Sequence, residues 1–153
     1  MSAEARLAEL NLELPPAPQP GGTYNPVVEC GNMAYVSGHG PLLPDGSMIS
    51  GKVGGDLSEA EGNAAARQVG LTLLATLRAQ LGSLDRVKRI IKVLGMVNAA
   101  PDFERHPQVI NGFSDLMLEI FGENGRAARS AVGMGSLPGK IAVEIEVILE
   151  LNE

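Results

Sequence analysis

The chain has 153 residues, of which 44% are hydrophobic, and this length and composition suit one domain with a substantial apolar core. The formal net charge is −6 and no run of Lys or Arg offsets it, so nucleic acid is not an expected partner. No stretch reaches the roughly 20 apolar residues that span a bilayer, no signal peptide is visible, and Cys30 is the only cysteine, so we expect a cytoplasmic protein without an internal disulfide.

Residues 1–22 are predicted to be an N-terminal extension of a domain formed by residues 23–153. Apolar residues recur at helical spacing after Ser2, which indicates a short helix. Four prolines between residues 15 and 20 then favour an extended connector. We therefore expect the folded body to begin near Thr23.

A β-hairpin is predicted within residues 27–36. Apolar residues flank Gly31 and Asn32, a pair that tolerates the positive φ of a tight two-residue loop. The stretch from residue 40 to residue 55 is rich in Gly, Pro and Asp, which is typical of a loop. The hairpin is therefore expected to lead into a long connection.

The clearest helix signal begins at Ser58. Glu61 follows three residues later, the spacing of a capping box, and an apolar face then repeats until Gly82 supplies a stop. The later elements predicted from residue pattern are a central strand at residues 89–98, a second amphipathic helix at 109–121, and two final strands at 127–134 and 141–151.

This order of elements predicts an α+β fold, a two-layer sandwich with two helices on one face of the sheet. Because two helices can cover only one face, the uncovered face is expected to associate with other subunits. Side chains alternate along a strand, so Glu144 and Glu146 are predicted to share one face of the last strand.

Two familiar types of site are disfavoured by the sequence. The segment GSMISGKV fits the pattern G-x-x-x-x-G-K, but Val53 stands where a phosphate loop needs Ser or Thr to hold magnesium. A surface loop is the better interpretation. Cys30, His39 and His106 lack the spacing of metal ligands, so no metal site is predicted.

Arg129 lies in a predicted strand among small and apolar residues, and such a guanidinium needs an anionic partner. One interpretation is a structural ion pair with Glu144 or Glu146 on a neighbouring antiparallel strand. The other is that Arg129 binds the carboxylate of a small ligand, leaving Glu144 to position a water molecule or accept its proton. Residue pattern alone leaves both interpretations open.

The segment ARSAVGMGSLPGKIAVEIEVI resembles the C-terminal signature of the RidA family, also called YjgF or endoribonuclease L-PSP. GNMAYVSGHGPLLPDG, TYNPVV and LGSLDRVKRIIKVLGMVN resemble further family segments in the same order, so the resemblance runs from about Thr23 to the end. His39 stands where the family commonly has Gln, and Ala131 replaces a frequent Cys. With these departures, the sequence resembles a divergent branch of the family.

The resemblance implies a chorismate-mutase-like two-layer sandwich, in which a mixed sheet carries two helices on one face, and a homotrimer with active sites in clefts between subunits. It also implies hydrolysis of reactive enamines or imines, such as 2-aminoacrylate and 2-iminopropionate, to a 2-keto acid and ammonia. Arg129 would bind the carboxylate of this small metabolite and Glu144 would hold the attacking water. The other implied ligand contacts are Tyr24 from a neighbouring chain, Gly38, His39, Asn111 and the backbone of Ala131.

His39 could act as a general acid or base, and it has a second interpretation, as a polar residue at the end of a loop that is hydrogen-bonded in place. Two other functions also remain open: non-catalytic binding or sensing of 2-keto acids, and the ribonuclease activity of the older family name. The net negative charge and the scarcity of aromatic residues disfavour RNA binding. An imine carbon is already electrophilic, so no cofactor or metal is expected.

Overall fold

The computed structural model describes residues 1–153, and every helix and strand predicted above is present. The elements are the helices α1 (Ala3–Glu9), α2 (Glu59–Leu81) and α3 (His106–Phe121), and the strands β1 (Val27–Cys30), β2 (Met33–His39), β3 (Val87–Asn98), β4 (Ala128–Met134) and β5 (Val143–Leu151). The fold is α+β with a mixed sheet, as predicted.

The five strands are ordered β1-β2-β5-β3-β4 in the sheet. β3 and β4 run parallel, whereas β1 with β2, β2 with β5 and β5 with β3 pair antiparallel. β3 therefore separates β4 from β5. The expectation that Arg129 lies on a strand next to the acids of β5 is wrong, because the connection after α3 returns the chain to the outer edge of the sheet.

The ends of α2 follow from its sequence. The Ser58 side chain accepts a hydrogen bond from the Glu61 backbone N–H, and the Glu61 carboxylate accepts one from the Ser58 backbone N–H, so the predicted capping box forms. Gly82 ends the helix with a φ of 86°, in the left-handed region that glycine adopts without a Cβ penalty. These two signals set the bounds of α2 at Glu59 and Leu81.

The core lies between the sheet and the helices α2 and α3. None of the helices combines the length and the apolar character needed to cross a bilayer. The largest fully buried side chains come from both helices and from the strands beneath them: Phe113, Leu73, Leu74, Leu77, Ile110, Leu116, Met117, Ile90, Ile145 and Leu149.

The core reaches back to residue 3 rather than beginning near Thr23. Ala3 and Leu7 of α1 are buried in the same apolar cluster as the sheet. Glu4 forms an ion pair with Arg78 of α2 and accepts a hydrogen bond from the Leu84 backbone N–H. The N-terminal helix is therefore packed on the body.

The other face of the sheet carries no helix and is partly apolar. A shallow cavity of about 500 Å³ on this open face is lined by Val28, Tyr35, Leu94 and Ile148, among others. Val28 is 49% exposed and Tyr35 is 47% exposed. Covering these side chains would remove apolar surface from water, which favours association.

Candidate functional site

Glu144 lies on the open face of the sheet, at the wall of a second cavity of about 520 Å³. We call this the Glu144 cavity; its lining includes Tyr24, Ser37, Gly38, Pro138, Glu144 and Glu146. Glu144 is paired across the sheet with Met96, and Glu146 is paired with Leu94 two residues along. The prediction that the two acids share a face is confirmed.

The surroundings of Glu144 favour the protonated form of its carboxyl group. Partial burial raises its pKa above the ordinary value, and the negative charge of Glu146 raises the pKa further. The Glu144 carboxylate forms no ion pair within the chain. An unpaired carboxyl with a raised pKa is a better proton acceptor than an ordinary carboxylate, which suits it to general acid–base chemistry.

A β-bulge in β2 shapes the floor of the Glu144 cavity. Val36 pairs with Val147 and His39 pairs with Ile145, so two residues of β2, Ser37 and Gly38, oppose Glu146 alone. The Gly38 α-carbon then lies directly beneath the Glu144 side chain, and a Cβ there would overlap with the carboxylate. Gly38 is therefore required by the close approach of Glu144.

Gly38→Ala is expected to preserve the fold and displace the catalytic candidate. The added methyl group meets only the end of the flexible Glu144 side chain, which can rotate away at little cost in stability. A displaced group of this kind commonly lowers activity by about 100-fold. The rate of the imine hydrolysis that the family resemblance implies should therefore fall while the temperature of thermal unfolding stays near the wild-type value, and a fall in both together would contradict the local explanation.

His39, a candidate for substrate binding, lies in the core instead of in the Glu144 cavity. The bulge turns the ring to the helix-covered face, where the residue is only 6% exposed. Nδ1 lies 2.6 Å from the Ser37 carbonyl oxygen and Nε2 lies 2.8 Å from Oγ1 of Thr76. The second interpretation, a polar residue hydrogen-bonded in place, is the one that agrees with the structure.

Burial gives His39 an effect on stability that depends on pH. Desolvation lowers the pKa of His39 in the folded protein, while an unfolded chain has a His pKa of about 6.5. As the pH falls below that value the unfolded state gains the proton first, so the free energy of unfolding should fall by up to about 1.4 kcal/mol per pH unit. Urea unfolding at pH 8 and pH 5.5 measures this difference.

His39→Gln should reduce the difference between pH 8 and pH 5.5, because glutamine does not titrate there. His106→Gln removes the other histidine of the chain and should leave the contribution of His39 in place. An equal reduction by the two variants would show that burial of His39 is not its source.

Arg129 is held on the opposite face of the sheet from Glu144. It pairs with Val93 of β3 and its Nη1 donates to Asn111 Oδ1 at 2.8 Å and to Ser114 Oγ at 3.1 Å. These two acceptors on α3 are neutral. Neither Glu144 nor Glu146 pairs with Arg129, so the structural ion pair considered above does not form.

A small cleft of about 220 Å³ surrounds the Arg129 guanidinium, between α3 and the start of β4. Asp115 also lines this Arg129 cleft but makes no ion pair. The guanidinium group of Arg129 is therefore oriented by hydrogen bonds and has no anionic partner in the chain. A planar guanidinium in that state suits a carboxylate ligand.

The structure thus divides the predicted residues into two groups. Tyr24, Gly38 and Glu144 line one cavity, while Arg129 and Asn111 line another and Ala131 follows Arg129 on the same face of β4. No group of three or more His, Cys, Asp and Glu side chains is placed to hold a metal ion. Ser114 was not among the predicted residues, although its spacing of three residues from Asn111 predicts a shared helix face.

Comparison with known proteins assigns the chain and its fold to one family. The family model described as "YjgF/chorismate_mutase-like, putative endoribonuclease" matches residues 4–148. Protein TCP17 of Trypanosoma cruzi is 43% identical over 97% of this chain and 93% of its own length. The 2-iminobutanoate/2-iminopropanoate deaminase of Dermatophagoides farinae is 29% identical over 92% of this chain and 95% of its own.

Among solved structures, a protein of Shewanella oneidensis MR-1 with the same description, putative endoribonuclease, has a TM-score of 0.94. It is 34% identical, and the match covers 99% of this chain and 100% of that one. The arrangement of the mixed sheet and its helices is therefore the chorismate-mutase-like fold.

Proposed function

The chain belongs to the YjgF family, also called the RidA family, and on that premise we propose that it hydrolyses reactive imines of small carboxylic acids. The products are the 2-keto acid and ammonia. The deaminase name of the Dermatophagoides farinae relative supports this chemistry at the level of the family. Enamines such as 2-aminoacrylate enter the reaction after tautomerisation to the imine.

The observation that carries the proposal is that two ionisable side chains, Arg129 and Glu144, have no ion-pair partner within the chain. Arg129 is oriented by the neutral oxygens of Asn111 and Ser114 and keeps an uncompensated positive charge. Glu144 keeps an unpaired carboxyl whose pKa is raised by burial and by Glu146. One group suits the carboxylate of a substrate, and the other suits proton transfer to and from water.

A single protomer cannot apply both groups to one small ligand, because Arg129 and Glu144 lie on opposite faces of the sheet. β4 is an edge strand, so Arg129 sits at the margin of the subunit. We therefore propose that the site is shared: Arg129, Asn111 and Ala131 from one subunit, and Tyr24, Gly38 and Glu144 from its neighbour. A homotrimer closed through the partly apolar open face provides such shared clefts.

The proposed reaction begins with the substrate carboxylate bound to the Arg129 guanidinium. Glu144 accepts a proton from water as the water oxygen forms a bond to the imine carbon, and it delivers that proton to the imine nitrogen, giving a neutral carbinolamine. Glu144 then accepts the hydroxyl proton of the carbinolamine and passes it to the amine. The C–N bond breaks, its electron pair leaves with ammonia, and the carbonyl of the 2-keto acid forms.

The test is competition with semicarbazide during amino-acid oxidase turnover. The oxidase releases imino acids, which semicarbazide traps, so an active deaminase lowers the amount of semicarbazone formed. We expect this decrease when purified protein is added. Unchanged semicarbazone over a range of imino acids would contradict the proposal, and calorimetric binding of 2-keto acids by Arg129 would then support a non-catalytic binder.

Mixing two inactive variants tests the shared site. Arg129→Met and Glu144→Gln subunits, refolded together, form some clefts in which an intact Arg129 meets an intact Glu144. With random assortment in a ring, one ordered pair in four is intact, so about one quarter of wild-type activity should return. No recovery in a verified mixed oligomer would indicate that both residues act from one subunit.

The ribonuclease named in the family description is the weaker alternative. Glu144 and Glu146 give the wall of the cavity a negative charge that repels a phosphate backbone. His39, which could have served as an acid or base, is buried in the core. Equal RNA cleavage by repurified wild-type protein and Glu144→Gln would place any such activity outside this site.

A further inference from the structure

A row of polar side chains on α2 forms hydrogen bonds with residues 39–42, the segment that follows the Ser37–Gly38 bulge of β2. Gln68, Thr72 and Thr76 recur every four residues, and both threonines are buried. Gln68 Nε2 donates to the Leu42 carbonyl at 2.7 Å, and the Leu42 N–H donates to Thr72 Oγ1 at 3.1 Å. Thr76 Oγ1 meets His39 Nε2. This polar row therefore anchors both ends of residues 39–42.

The hydrogen-bond partners of His39 determine its tautomer. A carbonyl oxygen only accepts, so Nδ1 carries the hydrogen and donates it to Ser37. Nε2 is then the acceptor and receives the Thr76 hydroxyl. One neutral ring thus connects the first residue of the bulge to a buried position on α2.

The Ser37–Gly38 bulge also packs against Glu144, the group proposed to transfer protons. Ser37 and Gly38 both line the Glu144 cavity, and Gly38 packs against the Glu144 carboxylate. Ser37 is further fixed by its own side chain, which donates to the Asn25 carbonyl at 2.7 Å. A bulge is an irregular, unpaired part of the ladder and needs such tethers to hold one geometry.

We infer that His39 is a positioning residue, which locks the Ser37–Gly38 bulge against α2 and so sets the location of the Glu144 carboxylate. This inference rests on the proposed function, because it assigns to Glu144 the role of activating water. His39 itself does not touch the ligand. Its contribution passes through the Ser37 carbonyl and Gly38.

The matched variants are His39→Leu and His39→Gln. Leucine fills much of the same space without either hydrogen bond. Glutamine can donate to the Ser37 carbonyl from its NH₂ group and accept from Thr76 with its oxygen. Thr76→Val removes only the hydroxyl that donates to His39 Nε2. This variant replaces His39→Leu in the test if the leucine variant does not fold.

In His39→Leu we expect kcat to fall at least about tenfold while the calorimetric Kd for a 2-keto acid stays within about twofold. The carboxylate of the ligand is bound by Arg129 on another subunit, so the affinity should depend only weakly on the bulge. His39→Gln should recover most of kcat, and His106→Leu should match wild type. A general loss of stability would change kcat and Kd together and would not be rescued by glutamine.

An NMR measurement tests the inference without relying on turnover. The Gly38 amide and the Glu144 carboxyl carbon should shift in His39→Leu and in Thr76→Val, but stay near wild-type positions in His39→Gln. Unshifted signals in the leucine and valine variants, or wild-type kcat in His39→Leu, would overturn the positioning role. Absence of imine hydrolysis by the wild-type protein would instead overturn the proposed function, with the NMR result still deciding the role of His39.

Discussion

Glu144→Gln is expected to lower kcat for imine hydrolysis by about 10²- to 10⁴-fold, the range attributed to general acid–base groups. Glutamine keeps the shape of the side chain above Gly38 but cannot accept a proton from water. The Kd for a 2-keto acid should change little, because the carboxylate of the ligand is assigned to Arg129. Semicarbazone competition gives the rate, and titration calorimetry gives the affinity.

Glu146→Gln is the matched control for Glu144→Gln, since it makes the same change two residues along on the same face. The negative charge of Glu146 raises the pKa of Glu144, so its removal should lower that pKa. The rise of activity with pH that accompanies ionisation of Glu144 should then move to lower pH. Equal loss of kcat in both variants, or an unchanged profile in Glu146→Gln, would contradict the assignment of Glu144 as the base.

The secondary structure was predictable because local physics determines it. The capping box at Ser58, the stop at Gly82 and the apolar faces of α2 and α3 are signals contained within a few residues. The parallel pairing of β3 with β4 was not predictable in this way. It depends on where α3 returns the chain, and that return is decided by packing over the whole sheet.

Five of the predicted residues line one or the other of the two cavities, but the division of these residues between opposite faces of the sheet was not predictable. The bulge at Ser37 and Gly38 shifts the alternation of β2 by one residue, which sends His39 into the core and leaves Gly38 beneath Glu144. A glycine inside a strand pattern was the available signal for this bulge. The opposite orientations of Arg129 and Glu144 required the complete strand order.

Arg129→Met is expected to weaken binding of a 2-keto acid by about 10- to 100-fold. This corresponds to about 1.5–3 kcal/mol for hydrogen bonds to a charged group. The fold should tolerate the change, because Asn111 is exposed and Ser114 is only partly buried, so water can replace the guanidinium. Calorimetry with the 2-keto acid measures the affinity, and thermal unfolding measures the stability.

Arg126→Met is the matched control, because it removes a second guanidinium three residues earlier. Arg126 is already paired with Glu123, and that pair is exposed at the surface. If net positive charge near α3 were sufficient for binding, both variants would weaken it by similar factors. If an oriented guanidinium without an anionic partner is what binds the carboxylate, only Arg129→Met should do so, and Arg129→Lys should fall between it and wild type because a lysine cannot form the bidentate pair.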